Sequence, residues 1–153
     1  MNIKIISIGN NPPKWVQDIL VKYTSRFDAH FKIELIEIKS EKNFKSLEYK
    51  KKQEAEKILK FIGSDFIISL DEHGSSCTSK GISEKLSNWM QNFSNIAFII
   101  GGADGLDKKI IEKSNWVWSL SELTLPHNLV KVILVEQIYR ASTILNNHPY
   151  HRE

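Results

Sequence analysis

The sequence predicts an α/β protein built on a mostly parallel sheet. Short apolar segments alternate along the chain with longer segments whose apolar residues recur at helical spacing. The apolar segments are rich in β-branched residues and contain few polar positions, which is typical of parallel strands covered on both faces. No linker, repeat or low-complexity segment interrupts the alternation. Residues 1–153 are therefore expected to form a single domain.

Five segments are predicted as strands. IKIISIG at residues 3–9 and NIAFII at residues 95–100 are apolar runs followed by or ending in glycine. FKIELIEIK at residues 31–39 alternates apolar with polar side chains, with one slip at 35–36. DFIISLD at residues 65–71 and WVWSL at residues 116–120 complete the set. In such a sheet, ligands bind at the carboxyl ends of the strands.

Four segments are predicted as helices from their apolar spacing. The first covers residues 15–27, after the turn Asn11-Pro12-Pro13, and the second covers residues 44–61, ended by Gly63. A third helix is predicted to begin at Ser83 as its N-cap and to run to Phe93. The residues between 72 and 81 are predicted as a loop, and the last helix is expected at about residues 129–145.

Composition and charge exclude several classes of protein. No segment approaches the length of a membrane span, and the first residues resemble a strand more than a signal peptide. The single cysteine, Cys77, cannot form an internal disulfide, which fits a reducing cytoplasm. No His/Cys spacing suggests a zinc site. The net charge of +3 permits an RNA partner without requiring one.

The lysines are concentrated in one third of the chain. Eight of them fall between Lys39 and Lys60, where four glutamates offset them. Mixed charge of this kind is typical of a solvated helix face. Contact with RNA is the alternative interpretation.

The loop IIGGADGL, residues 99–106, has three glycines directly after a predicted buried strand. Their positions, 101, 102 and 105, match neither the dinucleotide-binding spacing nor a phosphate-binding P-loop. Glycine lets a ligand approach the backbone closely, so the loop predicts a pocket lined by backbone, with an ordinary tight turn as the alternative.

The segment at residues 119–141 combines an apolar loop with an apolar helix. Leu120, Leu123 and Leu125 precede Pro126, which prevents regular helix, so this loop is expected to be buried. The helix that follows has a wide apolar stripe, which predicts packing on its own sheet and on a partner subunit. Tyr139 is placed among the polar faces, and Glu136 and Arg140, four residues apart, are expected to form an ion pair.

The chain ends in NHPYHRE, residues 147–153, a cluster of aromatic, titratable and cationic side chains. Together with IIGGADGL and WSLSELTLPHNLVKVILVEQIYRA, this ending closely resembles the ribosomal RNA large subunit methyltransferase H family, of the SPOUT class. The resemblance runs the full length, including the opening IKIISIGN and PPKWV. One departure is Ala103, where family members commonly have proline.

The resemblance implies a SPOUT fold, in which a parallel sheet is flanked by helices and the C-terminal part forms a deep trefoil knot, a rarity among folds. It implies a homodimer that uses S-adenosylmethionine to methylate N3 of a pseudouridine in 23S ribosomal RNA within assembled ribosomes. The implied partners are therefore a second copy of the chain and the ribosome, with no membrane and no metal, in the cytoplasm.

The resemblance also implies site residues. The cofactor would be bound by nine residues at the strand ends: Leu70, Gly101, Gly102, Leu120, Ser121, Glu122, Leu123, Thr124 and Leu125. For catalysis we expect His151 as general base, Tyr150 to contact the target base, and Arg152 with Arg140 to hold phosphate or the imide oxygen. His148 belongs to the same cluster, and His127 is expected to play a structural role.

Three alternatives remain at the level of sequence. The tail could serve only to seal the dimer interface. The target could be another RNA, because no residue specifies the ribosomal stem-loop. The chain could also be a non-catalytic factor for ribosome binding or assembly that retained the pocket.

Overall fold

The computed structural model describes residues 1–152, and its centre is a five-stranded sheet in which every neighbouring pair is parallel. The order across the sheet is β2-β1-β4-β3-β5. The strands are β1 (Asn2–Ile8), β2 (Lys32–Ile38), β3 (Phe66–Ser75), β4 (Asn95–Ile100) and β5 (Trp116–Trp118). The parallel sheet that the sequence predicts is confirmed.

Four helices connect the strands and a fifth follows β5, and within the described residues they cover both faces of the sheet. They are α1 (Lys14–Thr24), α2 (Leu47–Ile62), α3 (Ser79–Asn92), α4 (Lys108–Lys113) and α5 (His127–Leu145). Strand residues alternate between two cores, as the pleat requires. Ile3 and Ile5 of β1 lie in the core that contains residues of α1, α3 and α5, whereas Ile6 and Ile8 lie in the core that contains residues of α2 and α4.

Two helices begin elsewhere than predicted. α2 begins at Leu47 rather than Phe44, because the hydroxyl of Ser46 accepts a hydrogen bond from the Tyr49 N–H and caps the helix. The prediction of Ser83 as the cap of α3 is wrong. Thr78 caps that helix by accepting from the Gly81 N–H at 3.0 Å, and Ser83 lies buried inside it. Gly81 has a low helix propensity, so the sequence of the first turn does not indicate that the helix has already begun.

Other boundaries also differ from the predictions. β3 continues to Ser75, into the segment predicted as a loop, and α1 ends at Thr24 rather than Phe27. The helix α4 was not predicted, since six residues are too few to show a helical period. Asp107 caps it by accepting from the Lys109 N–H at 2.8 Å.

Helix α5 packs against both α1 and α3 and is the most buried helix at its centre. Leu134 is fully buried, and Tyr139, which the sequence placed among the polar faces, is only 7% exposed. Its ring packs edge-on against Phe27 at 5.5 Å between centroids, which explains the burial.

The end of α5 is a Schellman motif. The His148 N–H bonds to the Thr143 carbonyl at 2.9 Å and the Asn147 N–H bonds to that of Ile144 at 3.2 Å. Asn147 has φ of 51°, a left-handed conformation that asparagine tolerates. The motif reverses the chain, so that the tail turns back along α5.

Within residues 1–152, none of the helices combines the length and the apolar character that crossing a membrane requires. The trefoil knot and the single domain over residues 1–153 stay predictions, and Glu153 lies outside the described residues.

Replacing Leu134 by alanine should lower the free energy of unfolding by roughly 2–5 kcal/mol, because it leaves a cavity in a close-packed core. Leu129→Ala on the same helix is the matched control, since Leu129 is 38% exposed and should cost much less. Urea unfolding of both variants measures the difference. Equal losses would contradict the assignment of α5 to the core.

Candidate functional site

A cavity of about 310 Å³ lies at the carboxyl ends of β3, β4 and β5. Leu70 and Asp71 of β3 form one side, and Ile100 with the turn at residues 101–105 forms another. The loop between β5 and α5 closes the cavity together with His127 and Val130 of α5. Its position is the edge at which ligands bind in parallel sheets.

The cavity brings together most of the residues that the sequence assigned to cofactor binding. The lining includes Leu70, Gly101, Gly102, Leu120, Ser121, Leu123, Thr124 and Leu125. Glu122 is exposed and does not line it. Leu123 lines the cavity but is 74% exposed, so the prediction that the whole loop is buried is wrong. Its side chain therefore lies at the rim of the cavity.

The geometry of the turn at residues 101–105 explains why it contains glycines. The Gly105 N–H bonds to the Gly102 carbonyl at 3.0 Å, and Gly105 has φ of 77°. A Cβ on Gly101 would lie 2.8 Å from the backbone carbon of Gly105. The tight turn therefore accounts for Gly101 and Gly105, and the same turn forms a wall of the cavity.

The loop at residues 119–126 is held by a few specific hydrogen bonds. The Ser119 N–H donates to the Ser75 carbonyl at 3.0 Å, at the end of the β3 extension. The Ser119 hydroxyl donates to the Ser121 carbonyl at 3.0 Å, and the Leu123 N–H donates to the Ser121 hydroxyl at 2.9 Å. These bonds fix the loop over the cavity without regular secondary structure.

Two buried polar atoms on the cavity-lining residues lack a hydrogen-bond partner among the described residues. They are Nε1 of Trp118 and Nε2 of His127. A buried polar group without a partner is costly, so such atoms at a cavity are candidates for contact with a ligand or water. The other walls are largely apolar, with Leu70, Ile100 and Leu125 among them. The cavity therefore suits a ligand that combines an apolar surface with a few polar groups.

His127 belongs to a buried polar cluster between β1, β2 and α5. The Lys131 ammonium is almost completely buried and contacts both carboxylate oxygens of Glu37 at 2.7 Å, while the Ser7 hydroxyl donates to the same carboxylate at 2.9 Å. A Cβ added to Gly9 would lie only 2.9 Å from Nε2 of His127. The absence of a side chain at Gly9 thus leaves room for the imidazole of His127 beside the end of β1.

Burial, and after it the nearby Lys131 ammonium, lower the pKa of the His127 imidazole. The Glu37 carboxylate and the Gly101 backbone act in the opposite direction but do not outweigh burial and Lys131, so the neutral imidazole is favoured near pH 7. The sequence predicts a structural role for His127. Its cluster with Lys131 agrees with that role, and His127 also lines the cavity.

The sequence missed the acidic side of the cavity. Asp71 and Glu72 both line it, and the Asp71 carboxylate accepts from the His73 N–H at 2.8 Å. Asp71 directly follows the apolar run of β3, which is the available signal. No group of three or more His, Cys, Asp or Glu residues in the described part of the chain could hold a metal ion.

The predicted catalytic residues lie away from the cavity of their own protomer. The Tyr150 hydroxyl donates to the Glu136 carboxylate at 3.0 Å and lies 3.2 Å from the Tyr23 hydroxyl. Nδ1 of His151 is buried without a described partner, and Arg152 is exposed. Residues 146–152 contribute nothing to the described lining of the cavity. The tail thus packs on the face formed by α1 and α5.

Burial, followed by the hydrogen bonds with Tyr23 and Glu136, raises the pKa of the Tyr150 phenol. Tyr150 therefore stays protonated at neutral pH and acts as a hydrogen-bond donor. The predicted ion pair of Glu136 with Arg140 is confirmed at 2.6 Å, and the Arg140 guanidinium lies over the Tyr150 ring, 5.1 Å from its centroid.

A second hollow, of about 400 Å³, lies on the same face between α1 and α5. Its lining combines aliphatic with polar side chains: Ile19, Lys22, Tyr23, Val132, Ile133, Glu136 and Gln137. Trp15, one turn before Ile19 on α1, is 49% exposed. This half-apolar surface, with the tail at its margin, is called the α1/α5 face below.

Known proteins resemble the chain over its full length. A family model described as a predicted SPOUT methyltransferase matches residues 1–151. The proteins named ribosomal RNA large subunit methyltransferase H of Methylobacillus flagellatus and Hydrogenovibrio crunogenus are 43% and 42% identical, each aligned over 100% of both chains.

Among solved structures, the tRNA (m1G37) methyltransferase of Aquifex aeolicus superposes with a TM-score of 0.57 at 14% identity. The match covers 100% of this chain and 76% of that one, and it supports the fold alone. Three observations support one family: the parallel sheet, the cavity at its carboxyl edge and the full-length relatives. The chain belongs to the SPOUT methyltransferases, in the family of ribosomal RNA large subunit methyltransferase H.

Proposed function

We propose that this protein uses S-adenosylmethionine to methylate N3 of a pseudouridine in 23S ribosomal RNA. The observation that carries the proposal is the cavity at the ends of β3, β4 and β5, which is lined by eight of the nine residues that the sequence assigned to cofactor binding. The names of the full-length relatives support ribosomal RNA as the substrate. A ribosomal substrate also implies action in the cytoplasm.

The residues present fit the cofactor. A volume of about 310 Å³ is at the lower end of the range of small-molecule sites. Leu70, Leu120 and Leu125 offer apolar surface to an adenine ring, and Asp71 and Glu72 offer carboxylates to a cationic amino group. Trp118 and His127 supply the two unpartnered nitrogens. When bound, S-adenosylmethionine supplies an electrophilic methyl group on a positively charged sulfur.

The acceptor requires activation. N3 of pseudouridine is an imide N–H and becomes a good nucleophile only when it loses its proton, so a general base is expected. Tyr150 does not serve, because the pKa of its phenol is raised above the ordinary value. His151 remains the preferred base, with an imidazole nitrogen that has no described partner. Arg152, which is exposed, would hold phosphate or the imide oxygen.

We further propose that two copies form a homodimer through the α1/α5 face and that each tail completes the partner's cavity. The face is half apolar, with Ile19, Val132 and Ile133 in the hollow. Tyr150 is anchored at this face by Tyr23 and Glu136, so His151 and Arg152 continue from its margin. Pairing two copies would thus place the catalytic side chains of one beside the cofactor of the other.

Assembled ribosomes are proposed as the substrate in preference to free RNA. The chain carries a net charge of only +3, or +6 for two copies, which is modest for an enzyme that must hold RNA alone. Ribosomal surfaces would supply the remaining contacts. The competing functions are methylation of another RNA and a non-catalytic role in ribosome assembly.

Calorimetry should detect S-adenosylmethionine binding to the wild-type protein. Ala103→Trp should weaken it at least about tenfold, because Ala103 lines the cavity and an indole would fill part of it. Ala29→Trp is the matched control, since Ala29 is exposed in the turn before β2 and does not line the cavity. Failure of the wild-type protein to bind would overturn the assignment of the cavity.

Transfer of a tritiated methyl group to ribosomes that lack the modification should require His151. His151→Ala should lower kcat about 100-fold or more, the usual size of a general-base contribution, while cofactor affinity measured separately stays unchanged. Protein-free 23S RNA should be a poor substrate for the wild-type protein.

Binding of the cofactor without any transfer by the wild-type protein would favour the non-catalytic role. Transfer that is undiminished in His151→Ala would instead remove His151 from the mechanism. Recovery of the label in another RNA would identify a different target.

Sharing of sites between subunits can be tested by co-expressing two inactive variants with different tags. Ala103→Trp has a blocked cavity and an intact tail, and His151→Ala has the reverse. Their mixture should recover about one quarter of the wild-type rate, because half of randomly formed dimers are heterodimers and each has one intact composite site. A tail acting on its own protomer would give no recovery.

A further inference from the structure

The positive charge of the chain is concentrated in one exposed segment, KNFKSLEYKKK at residues 42–52. The segment contains five lysines and one glutamate, a net charge of +4, whereas the whole chain carries +3. The remaining residues therefore sum to −1. We call residues 42–52 the lysine segment.

Large apolar side chains are interleaved with these lysines and face solvent. Phe44 is 43% exposed, Leu47 is 50% exposed and Tyr49 is 46% exposed. Exposed rings among cationic side chains are the combination by which proteins bind RNA, since the rings stack on bases and the ammonium groups contact phosphates. A face that is merely solvated needs no exposed aromatic residues.

The nearby acidic groups do not neutralise the segment. Glu54 is only 4% exposed and accepts hydrogen bonds from the Ser40 hydroxyl and the Glu41 N–H, at 2.9 and 3.2 Å. Glu41 itself is paired with Lys57. Among the described residues, the side chains of Lys42, Lys45, Lys51 and Lys52 form no ion pair. Four ammonium groups thus remain for an anionic partner.

One lysine of the segment connects it to the cavity. The Lys50 ammonium contacts the Asp104 carboxylate at 2.7 Å and lies 5.1 Å from the centroid of the Phe44 ring. The hydrogen bond with Asp104 raises the pKa of Lys50. Asp104 belongs to the glycine turn, whose Ala103 and Gly105 line the cavity. The lysine segment therefore lies directly beside one wall of the methyl-donor site.

We infer that the lysine segment is a docking surface for the RNA substrate, in which Phe44 and Tyr49 stack on unpaired bases and the free lysines contact phosphates. The inference rests on the proposed ribosomal RNA substrate and adds the surface that holds it. RNA bound to the lysine segment would lie beside the cavity, because Lys50 contacts Asp104 in the turn that forms one cavity wall.

Binding to bacterial 70S ribosomes, measured by co-sedimentation at several salt concentrations, tests the docking surface. Lys51→Ala with Lys52→Ala should weaken binding roughly tenfold and lower the slope of log affinity against log salt by about 1 to 2, as the loss of two phosphate contacts predicts. Phe44→Ala with Tyr49→Ala should weaken binding at least about fivefold and leave that slope unchanged, because stacking involves no counterion release.

The matched control is Lys32→Ala with Lys60→Ala. Both lysines are exposed, and Lys60 lies at the other end of α2, ten residues and about 15 Å along the helix from Lys50. This pair should leave ribosome binding nearly unchanged. Equal weakening by the control and by the Lys51/Lys52 pair, or no weakening by either, would overturn the inference.

A photoreactive phenylalanine analogue in place of Phe44 distinguishes RNA from protein as the contact. Crosslinking to 23S RNA is expected, and crosslinking to ribosomal protein alone would overturn the assignment to RNA. Calorimetry with S-adenosylmethionine should give wild-type affinity for every variant. Failure of the proposed methylation would appear in the transfer assay, whereas failure of the docking surface would appear only in these binding and crosslinking measurements.

Discussion

The buried ion pair between Lys131 and Glu37 determines the course of the loop that covers the cavity. Glu37 lies on β2, at one edge of the sheet, and β5 lies at the other edge. The ion pair holds α5 beside β2, and His127 at the start of α5 lies beside Gly9, which follows β1. The loop at residues 119–126 therefore runs from β5 to the end of β1, across three strand spacings or about 14 Å, and its residues line the cavity.

This ion pair positions α5 on the sheet more than it stabilises the fold. Burying the Lys131 ammonium costs several kcal/mol, and its attraction to the partly exposed Glu37 carboxylate offsets that cost only with good geometry. Here the Lys131 ammonium contacts both carboxylate oxygens, and the Ser7 hydroxyl adds a further bond to the same carboxylate. A slip of α5 by one residue would leave a charged lysine in the core without a partner. The pair thus fixes the register of α5 on the sheet, and with it the position of His127.

The sequence predicted the sheet and the edge at which the cavity lies because both follow from local patterns. Apolar runs mark the parallel strands, and the carboxyl ends of parallel strands meet at one edge. The Lys131–Glu37 pair escaped prediction because its partners are 94 residues apart and each looks like a solvated charge in its own segment. The start of α3 at Thr78 was missed since Gly81 obscures the helical pattern. The exposure of Leu123 was missed because a loop has no period from which burial can be deduced.

The length of α5 explains why tail and cavity are separate within one protomer. His127, at the beginning of the helix, lines the cavity, whereas Glu136, which anchors Tyr150, lies nine residues further on, about 14 Å along the axis. The Schellman motif turns the chain back, but the bonds of Tyr150 to Tyr23 and Glu136 stop it at the α1/α5 face. Reacting atoms in a methyl transfer must approach to roughly 3–3.5 Å, and the described tail residues do not line the cavity of their own protomer. The same helix that builds the cavity therefore also holds the tail away from it.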